Sequence, residues 1–459
     1  MKSTPIFSRF TQSLSFRTII IAILSLLMLI PLSLVDNTIR ERSSRYYGVL
    51  TDIASSWGEQ QTLIGPLLVV PYVEHVITVN TITDKSGESK TISKDVFTEK
   101  TIVILPQELE ITADLKEEYR KRGIYNSLVY AADTTLQGHF NIEHLLKTCD
   151  RNCSIHWDKA WLSVGLSDTK AITETSRINW DGSSISINPG TKIPQLINNG
   201  FHAPLMGIKP ETPLPTFRMR IAMNGSKGIR FAPLGVVSKA KITSSWPHPS
   251  FQGAVLPKEQ EINDKGFTAR WQIPNLARNY PQHWLLDDKS TQPSSRPARS
   301  PYDLYQFTTG VDLFEPVTLY SKISRSTKYG ILLIVLTYIT FLIFELTIKA
   351  KPHFIQYVMI GLALSLFYLL LVSLAEHIVF LHAYLIASGV TILLITLYSM
   401  AVLRKKSRAL WIGFLLIGLY AVLYTLLHLE DYALIAGSAL LLVVLSVLMY
   451  VTRRIESAE

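Results

Sequence analysis

Five long apolar runs dominate the last part of the chain. They cover residues 329–348, 354–375, 379–402, 409–429 and 433–451, and only short charged clusters separate them. Each run is close to the ~20 residues that a helix needs to cross ~30 Å of hydrocarbon. A helix in the core of a soluble protein would show a polar face at every turn, and these runs show none. Because lipid offers the backbone no hydrogen-bond partner, the pattern predicts five membrane-spanning helices.

A sixth apolar run lies near the start of the chain, from Thr18 to Val35. Residues 1–17 before it are basic and contain no acidic residue. A cleaved signal peptide is the alternative, but its apolar core is usually only about 7–15 residues and ends at small residues. This run is longer and lacks such a cleavage site. We therefore expect a retained anchor, which brings the number of predicted spans to six.

The charges between the runs predict the orientation. Basic and acidic gaps alternate along the C-terminal runs: Lys349 with Lys351, Glu376 with His377, Arg404 to Arg408, Glu430 with Asp431, and Arg453 with Arg454. Basic loops face the cytoplasm, so both termini are predicted to be cytoplasmic and residues 36–328 periplasmic. The basic segment before Thr18 leads to the same orientation. Arg325 and Lys328 lie on the outer side, where long translocated domains are exempt from the rule.

Residues 36–57 continue the anchor as a predicted juxtamembrane helix. Its apolar face consists of residues at helical spacing, namely Ile39, Tyr46, Leu50, Ile53 and Trp57. Arg40, Arg42 and Arg45 would meet lipid headgroups or form a solvated face packed on the next domain, and both interpretations stay open. Gly58 and the Gly65-Pro66 pair are predicted to end the helix.

From Leu67 to Tyr320 the dominant period is two, which predicts strands. Apolar residues alternate at Phe217, Met219, Ile221 and Met223, and again at Phe267, Ala269, Trp271 and Ile273. Asn224-Gly225 with Gly228 predicts a hairpin turn between two strands. Short strands with Gly, Pro and Asn between them favour a large antiparallel β-sandwich-like domain, as one sandwich or two. Residues 287–301, rich in Ser, Pro and charge, are predicted to be a flexible loop.

Composition and motifs limit the function classes. The formal charge of +9 lies largely beside predicted membrane ends, so we expect the lipid bilayer rather than nucleic acid as a partner. Cys149 and Cys153, the two cysteines, form no zinc motif, and whether they form a local disulfide stays open. The chain contains no GxSxG, HExxH, Walker or dinucleotide-binding motif. We therefore predict a protein that is not an enzyme and that needs no metal or cofactor.

Two short strings are candidate sites for binding. In the string from Trp246 to Phe251, two prolines fix the backbone around His248, and the two aromatic residues flank it. The string would present the imidazole to a ligand, or it would form a rigid corner with its aromatic side chains packed inward. Glu376 and His377 form the predicted outer turn between two spans. A carboxylate within a span is costly enough to suggest a function when it lies deep in the membrane.

Several strings resemble one known family, and they occur along most of the chain in the same order. They are Trp57, Gln60, Gly65-Pro66, Pro71-Tyr72, Arg122-Gly123-Ile124-Tyr125, Ser245 to Phe251 with Gly253, Gly266-Phe267, Trp271, Pro316-Val317, Tyr320, Arg325, Lys328-Tyr329, Gln356-Tyr357, Gly361 to Leu364, Phe367 to Leu370, Glu376-His377 and Ala383-Tyr384. Together they resemble the CreD family of inner-membrane proteins of the Gram-negative cell envelope. Thr318 stands where the family pattern leads us to expect Asp, and the two cysteines match nothing in that pattern.

The resemblance implies one anchor, a large periplasmic β-rich domain and a C-terminal helical block. It also implies a role in cell envelope integrity and stress tolerance, without catalytic residues to carry over. We therefore predict binding or scaffolding, with an envelope or cell-wall protein as the expected partner. One alternative is a transporter or flippase of envelope lipid or cell-wall precursor, with a polar cavity near Glu345 or His382. Another is a periplasmic hydrolase, which requires a carboxylate pair, or a nucleophile with His248.

Overall fold

The computed structural model describes residues 14–83, 89–143, 145, 153–174, 177–205, 214–286, 302–313, 315, 318–348, 353–403 and 406–428, with a few positions between 435 and 449. Two compact units make up the chain. The β unit comprises residues 49–315, and the helical unit comprises residues 1–48 with 316–459.

Seven helices are assigned in the described residues. They are α1 (Leu14–Leu27), α2 (Leu29–Trp57), α3 (Leu319–Lys328), α4 (Gly330–Ile348), α5 (Phe354–Ala375), α6 (Phe380–Leu403) and α7 (Lys406–His428). Five helical stretches of this part of the chain are long and apolar enough to cross a membrane: 18–57, 319–343, 354–375, 380–402 and 406–427. Within the described residues, the predicted N-terminal helix and C-terminal helices are therefore confirmed. Most of the predicted span 433–451 lies outside the described residues.

The helical unit has an aromatic core. Tyr338, Phe341, Phe367 and Tyr368 are buried in it almost completely. The Tyr338 hydroxyl donates to the Tyr357 carbonyl at 2.7 Å, because a buried hydroxyl in an apolar core needs a backbone acceptor. Short α3, which precedes α4, was not predicted as a separate helix, since the apolar run that marked the span starts only at residue 329.

The β unit contains two sheets. The strands are β1 (Gln61–Thr83), β2 (Ser89–Ile104), β3 (Glu108–Arg122), β4 (Tyr125–His139), β5 (Cys153–Ile155), β6 (Trp161–Leu166), β7 (Ile178–Trp180), β8 (Ser183–Ile185), β9 (Asn188–Pro189), β10 (Gly200–Pro204), β11 (Thr216–Ser226), β12 (Gly228–Phe231), β13 (Val237–Ser244), β14 (Pro249–Gly253), β15 (Glu259–Asn263), β16 (Gly266–Pro274), β17 (His283–Leu286) and β18 (Thr309–Leu313). The first sheet has the order β14-β18-β12-β1-β6-β10-β9, with β2 and β5 on β1 and β17 on β2. The second has the order β15-β16-β13-β3-β4-β11-β7-β8.

Both sheets contribute to one hydrophobic core, which answers the question left open between one sandwich and two. The alternating residues of β11 and β16 point into this core as predicted, from Phe217 to Met223 and from Phe267 to Ile273. The named strand pairs are antiparallel as predicted, except at two places. β1 pairs in parallel with β12, and β13 pairs in parallel with β3, so the sheets are mixed.

The predicted hairpin at Asn224-Gly225 is also wrong. Both residues lie inside β11, where they pair with β4, whereas β12 pairs with β1 and β18 in the other sheet. The chain changes sheets at Lys227, whose φ of 65° is left-handed. Gly225 serves a different purpose, because a Cβ there would come within 2.3 Å of the Tyr130 ring and hydroxyl.

The end of α2 agrees with the prediction in part. The helix ends at Trp57, immediately before Gly58. The Gly65-Pro66 pair, however, lies within β1, which begins at Gln61. It coincides with a shift in the pairing of β1 with β6 between Ile64 and Leu67. Gly and Pro interrupt a strand ladder as readily as they end a helix, and the local signal does not separate the two cases.

Candidate functional site

Among the candidate residues, Glu376 has a nearly buried side chain that two other polar side chains contact. It follows α5 directly, and its side chain is only 7% exposed. The Tyr320 hydroxyl donates a hydrogen bond of 2.8 Å to one carboxylate oxygen. Arg42 Nη1 lies 3.6 Å from the other. The predicted outer turn therefore holds a nearly buried carboxylate that one hydroxyl and one guanidinium contact.

Three helices bring this cluster together. Arg42 comes from α2, Tyr320 from the first turn of α3, and Glu376 from the end of α5. Arg42 shares a helix face with Ile39 and Tyr46, at spacings of three and four residues. Ile39 is 1% exposed, and the ring of Tyr46 lies 5.5 Å from that of Tyr320. The apolar face of α2 thus holds Arg42 close to the carboxylate.

The electrostatics of the cluster favour a structural role for its carboxylate. A charge that leaves water is costly unless hydrogen bonds and an opposite charge compensate it. Here Tyr320, a residue that is 3% exposed, supplies a hydrogen bond through its hydroxyl. Arg42 supplies the opposite charge. His377 differs, since it is exposed and its imidazole forms no hydrogen bond or ion pair with the residues that the structure describes.

The string from Trp246 to Phe251 lies in the β unit, where it follows β13 and continues into the edge strand β14. The indole of Trp246 donates to the His248 carbonyl at 3.2 Å, and the two rings meet edge to face at 5.9 Å. Phe251 packs edge to face on Phe267 and Trp271, both in the core. The corner is therefore anchored by its aromatic side chains, while the His248 imidazole is exposed.

The chemistry that a hydrolase needs is not assembled around His248. No carboxylate in the described part of the chain lies within ion-pair distance of its imidazole, and Ser245 donates to Glu117 instead. In the same residues, no group of three His, Cys, Asp or Glu side chains is close enough to hold a metal ion. As it stands, this corner can contact a ligand but offers no activated nucleophile.

Sequence reasoning missed the two partners of Glu376. Arg42 was assigned to the lipid surface or a solvated face, and Tyr320 was noted only for its resemblance to a family string. The available signal was the spacing of Arg42, which fits the apolar face of Ile39 and Tyr46 better than the outer face. Tyr320 lies 56 residues before Glu376, and no local pattern links residues so far apart.

Two comparisons with known proteins agree. A family model described as "Inner membrane protein CreD" matches residues 13–458. The protein of Escherichia coli (strain K12) with the same description is 32% identical over 431 residues, which cover 94% of this chain and 91% of that protein. The chain belongs to the CreD family. The resemblance is confirmed, and this member of the CreD family is a membrane protein.

The CreD pattern is interrupted at Thr318, and the structure gives that residue a role. Thr318 caps α3, because its hydroxyl accepts a hydrogen bond of 3.3 Å from the Ser321 backbone. Thr and Asp are both favoured at this position of a helix, so a Thr in place of the expected Asp keeps the cap.

Cys153, which matches nothing in the CreD pattern, is disulfide-bonded, and Cys149 lies outside the described residues.

Proposed function

We propose that this chain is a non-enzymatic inner-membrane protein whose β unit lies in the periplasm and binds or scaffolds envelope components. Through these contacts it contributes to envelope integrity and stress tolerance. One observation carries the proposal: both ends of the β unit continue into membrane-length helices. α2 runs without a break from Leu29 to Trp57, and β1 starts at Gln61, while α3 at Leu319 begins the helices that follow. Such a domain is held at the membrane at both ends.

The charge pattern supports the periplasmic side for the β unit. Basic residues precede the first span, and basic gaps alternate with acidic ones between the later spans. A direct test uses single cysteines in a background without Cys149 and Cys153. Asn263→Cys, in the β unit, should react with a membrane-impermeant maleimide in spheroplasts. Lys406→Cys, at the start of α7, should react only after lysis. The opposite pattern would reverse the proposed orientation.

Photo-crosslinking in cells tests the binding role. Probes replace His248 and His377, which are exposed, rather than Glu376, whose replacement would disturb its cluster. A probe at exposed Asn263 is the control. We expect both histidine positions to give reproducible adducts with an envelope or cell-wall protein, and the control to give none. Adducts that are identical at all three positions, or absent at both histidines, would contradict the proposal.

One observation favours transport as a second candidate. The hydroxyl of Tyr368, in α5, is buried in the helical unit, and it has no hydrogen-bond partner among the described residues. An unpaired polar group at membrane depth is costly, and it is often kept for a substrate or proton path. Uptake of envelope precursors into proteoliposomes that falls with Tyr368→Phe, in a variant that remains folded, would support this candidate over scaffolding.

A further inference from the structure

The β unit contains a cleft of about 420 Å³, a volume typical of small-ligand sites. Its walls come from β1 (71–73), β2 (99–101), the segment 156–161, Lys192 and Pro204. The lining combines charged side chains with the rings of Tyr72, Trp161 and two prolines. The cleft therefore suits a ligand that carries both a charge and an apolar face.

Two lysines of the cleft have no ion-pair partner among the described residues. Lys159 and Lys192 form no ion pair with any carboxylate that the structure describes. Lys100 is already paired with Glu74 at 2.5 Å, and Asp158 lies 3.7 Å from His156. Glu99 and Asp158 are the acidic residues of the lining, since a neutral imidazole at His156 leaves the charge of Asp158 in place. Lys159 and Lys192 thus remain without a direct partner and can contact an anion, in a lining that also holds two carboxylates.

The backbone beside Lys192 is held by a local network. Its φ of 62° is left-handed, and its ammonium nitrogen lies 5.5 Å from the centre of the Trp161 ring. The Trp161 indole and the Ser163 hydroxyl both donate to the Thr191 carbonyl, at 3.2 and 3.0 Å. These bonds hold the residue before Lys192 in place, so a ligand would have to order the Lys192 side chain but not its backbone.

The aromatic walls add donors as well as apolar surface. Burial raises the pKa of Tyr72, although the nearby Lys100 opposes the rise, so its hydroxyl stays protonated and available as a donor at neutral pH. Pro71, Ala160 and Pro204 complete the apolar part of the lining. A sugar ring matches this combination, with C–H faces for the aromatic and proline surfaces and hydroxyls for the polar groups.

We propose that this cleft binds an anionic saccharide. Lys159 and Lys192 contact its carboxylate, and Tyr72, Trp161 and the prolines contact its ring faces. The inference rests on the proposed function, since it names a ligand class for the envelope-binding β unit. In the periplasm, the cell-wall glycan contains sugars that carry a carboxylate.

The test compares two probes that differ in one carboxylate. The first is the disaccharide of N-acetylglucosamine and N-acetylmuramic acid, and the second is the neutral N-acetylglucosamine dimer, which lacks the lactyl group. Saturation-transfer NMR and thermophoresis measure the binding of each to the full-length protein in nanodiscs of neutral lipid. We expect the acidic disaccharide to bind about tenfold more tightly, since two partly exposed charge contacts contribute of that order. Added salt should reduce the difference.

The decisive variant is the double substitution of Lys159→Gln with Lys192→Gln. Its matched control is Lys227→Gln with Lys241→Gln, which removes two exposed lysines away from the cleft. The backbone at Lys227 is in the left-handed region, as it is at Lys192, so the control also matches the backbone conformation of the tested site. We expect the cleft variant to lose about tenfold in affinity for the acidic disaccharide and the control to lose none. Both variants should unfold at the wild-type temperature, because all four side chains are exposed.

Each of the other possible results leads to a different conclusion about the cleft or about the scaffolding role. Equal binding of both probes, or equal losses in the two double variants, would overturn the proposal. Lysine-dependent binding to vesicles of anionic phospholipid but not to the disaccharide would also overturn it, since the cleft would then recognise lipid phosphate. If the saccharide does not bind while the crosslinks at His248 and His377 persist, the cleft inference is wrong and the scaffolding role stands. If the saccharide binds but the crosslinks fail, only the protein-scaffolding role is lost.

Discussion

The cluster at Glu376 predicts an energetic coupling between Tyr320 and Glu376. The perturbation is a double-mutant cycle of Tyr320→Phe and Glu376→Gln. A hydrogen bond to a charged group contributes about 1.5–3 kcal/mol, and one between neutral groups about 0.5–1.5 kcal/mol. Gln keeps an oxygen that can accept from Tyr320, so Glu376→Gln costs the difference between the two hydrogen bonds, about 1 kcal/mol, together with the weak ion pair to Arg42. Tyr320→Phe leaves a nearly buried carboxylate oxygen without its donor, and we expect a loss of about 2 kcal/mol.

The two losses should not add. In the double variant the hydroxyl and the charge are both absent, so the coupling energy should be about 1 kcal/mol, above the ~0.3–0.5 kcal/mol by which independent sites deviate from additivity. The ion pair with Arg42 contributes less. Its distance is 3.6 Å and the Arg42 side chain is 42% exposed, so we expect Arg42→Gln to cost under about 1 kcal/mol.

Unfolding of the full-length protein in mixed micelles with increasing dodecyl sulfate, followed by circular dichroism, measures these differences. Glu41→Gln is the matched control, because Glu41 pairs with Arg45 at 2.6 Å on the same α2 helix but is 62% exposed. It should cost under about 0.5 kcal/mol. A coupling energy near zero, with Glu376→Gln no more costly than Glu41→Gln, would refute the structural role assigned to the cluster.

Three further predictions concern the stability of the β unit, each measured by chemical unfolding of the full-length protein. Gly225→Ala should destabilise it by about 1–3 kcal/mol, because the new methyl group would meet the buried Tyr130 ring at 2.3 Å; an unchanged midpoint would contradict this. Arg278→Lys should cost about 2 kcal/mol, since the buried guanidinium donates to several backbone carbonyls and an ammonium cannot reproduce that fork. The hydrogen bond from Arg220 lowers the pKa of Asp133, so the stability it adds is present above about pH 4 and is lost as the pH falls through the folded-state pKa. The cost of Arg220→Gln should therefore shrink on acidification, and a cost independent of pH would contradict the assignment.

The elements that could be predicted from sequence are those whose signal is local and periodic. The apolar runs fix the described spans, because a helix in lipid must be apolar on every face. The alternation at Phe217 to Met223 identifies the inward face of β11, because the side chains of a strand alternate between two faces. Periodicity does not name the strand's partner, and so the parallel pairs β1–β12 and β3–β13 were missed.

Gly225 shows why a local signal can mislead. Asn-Gly is a strong turn signal because both residues tolerate left-handed backbone conformations. At this position the glycine is needed for another reason, the ring of Tyr130, which is 95 residues earlier in the chain. The same holds at Glu376, whose partner Tyr320 no spacing rule would select. At both positions, contacts between residues far apart in the sequence determine the role of the side chain or of the glycine.

The distribution of satisfied and unsatisfied polar groups separates structural from ligand-facing residues. Glu376 was a candidate for function because it is a carboxylate near the membrane, but Tyr320 and Arg42 already use both of its oxygens. A group whose bonds are satisfied within the chain has little left to offer a ligand. Lys159, Lys192 and His248, in contrast, are exposed and unpaired with the carboxylates that the structure describes. Substitutions at Glu376 should therefore act through stability, and those at the exposed lysines and His248 through binding, with folding unchanged.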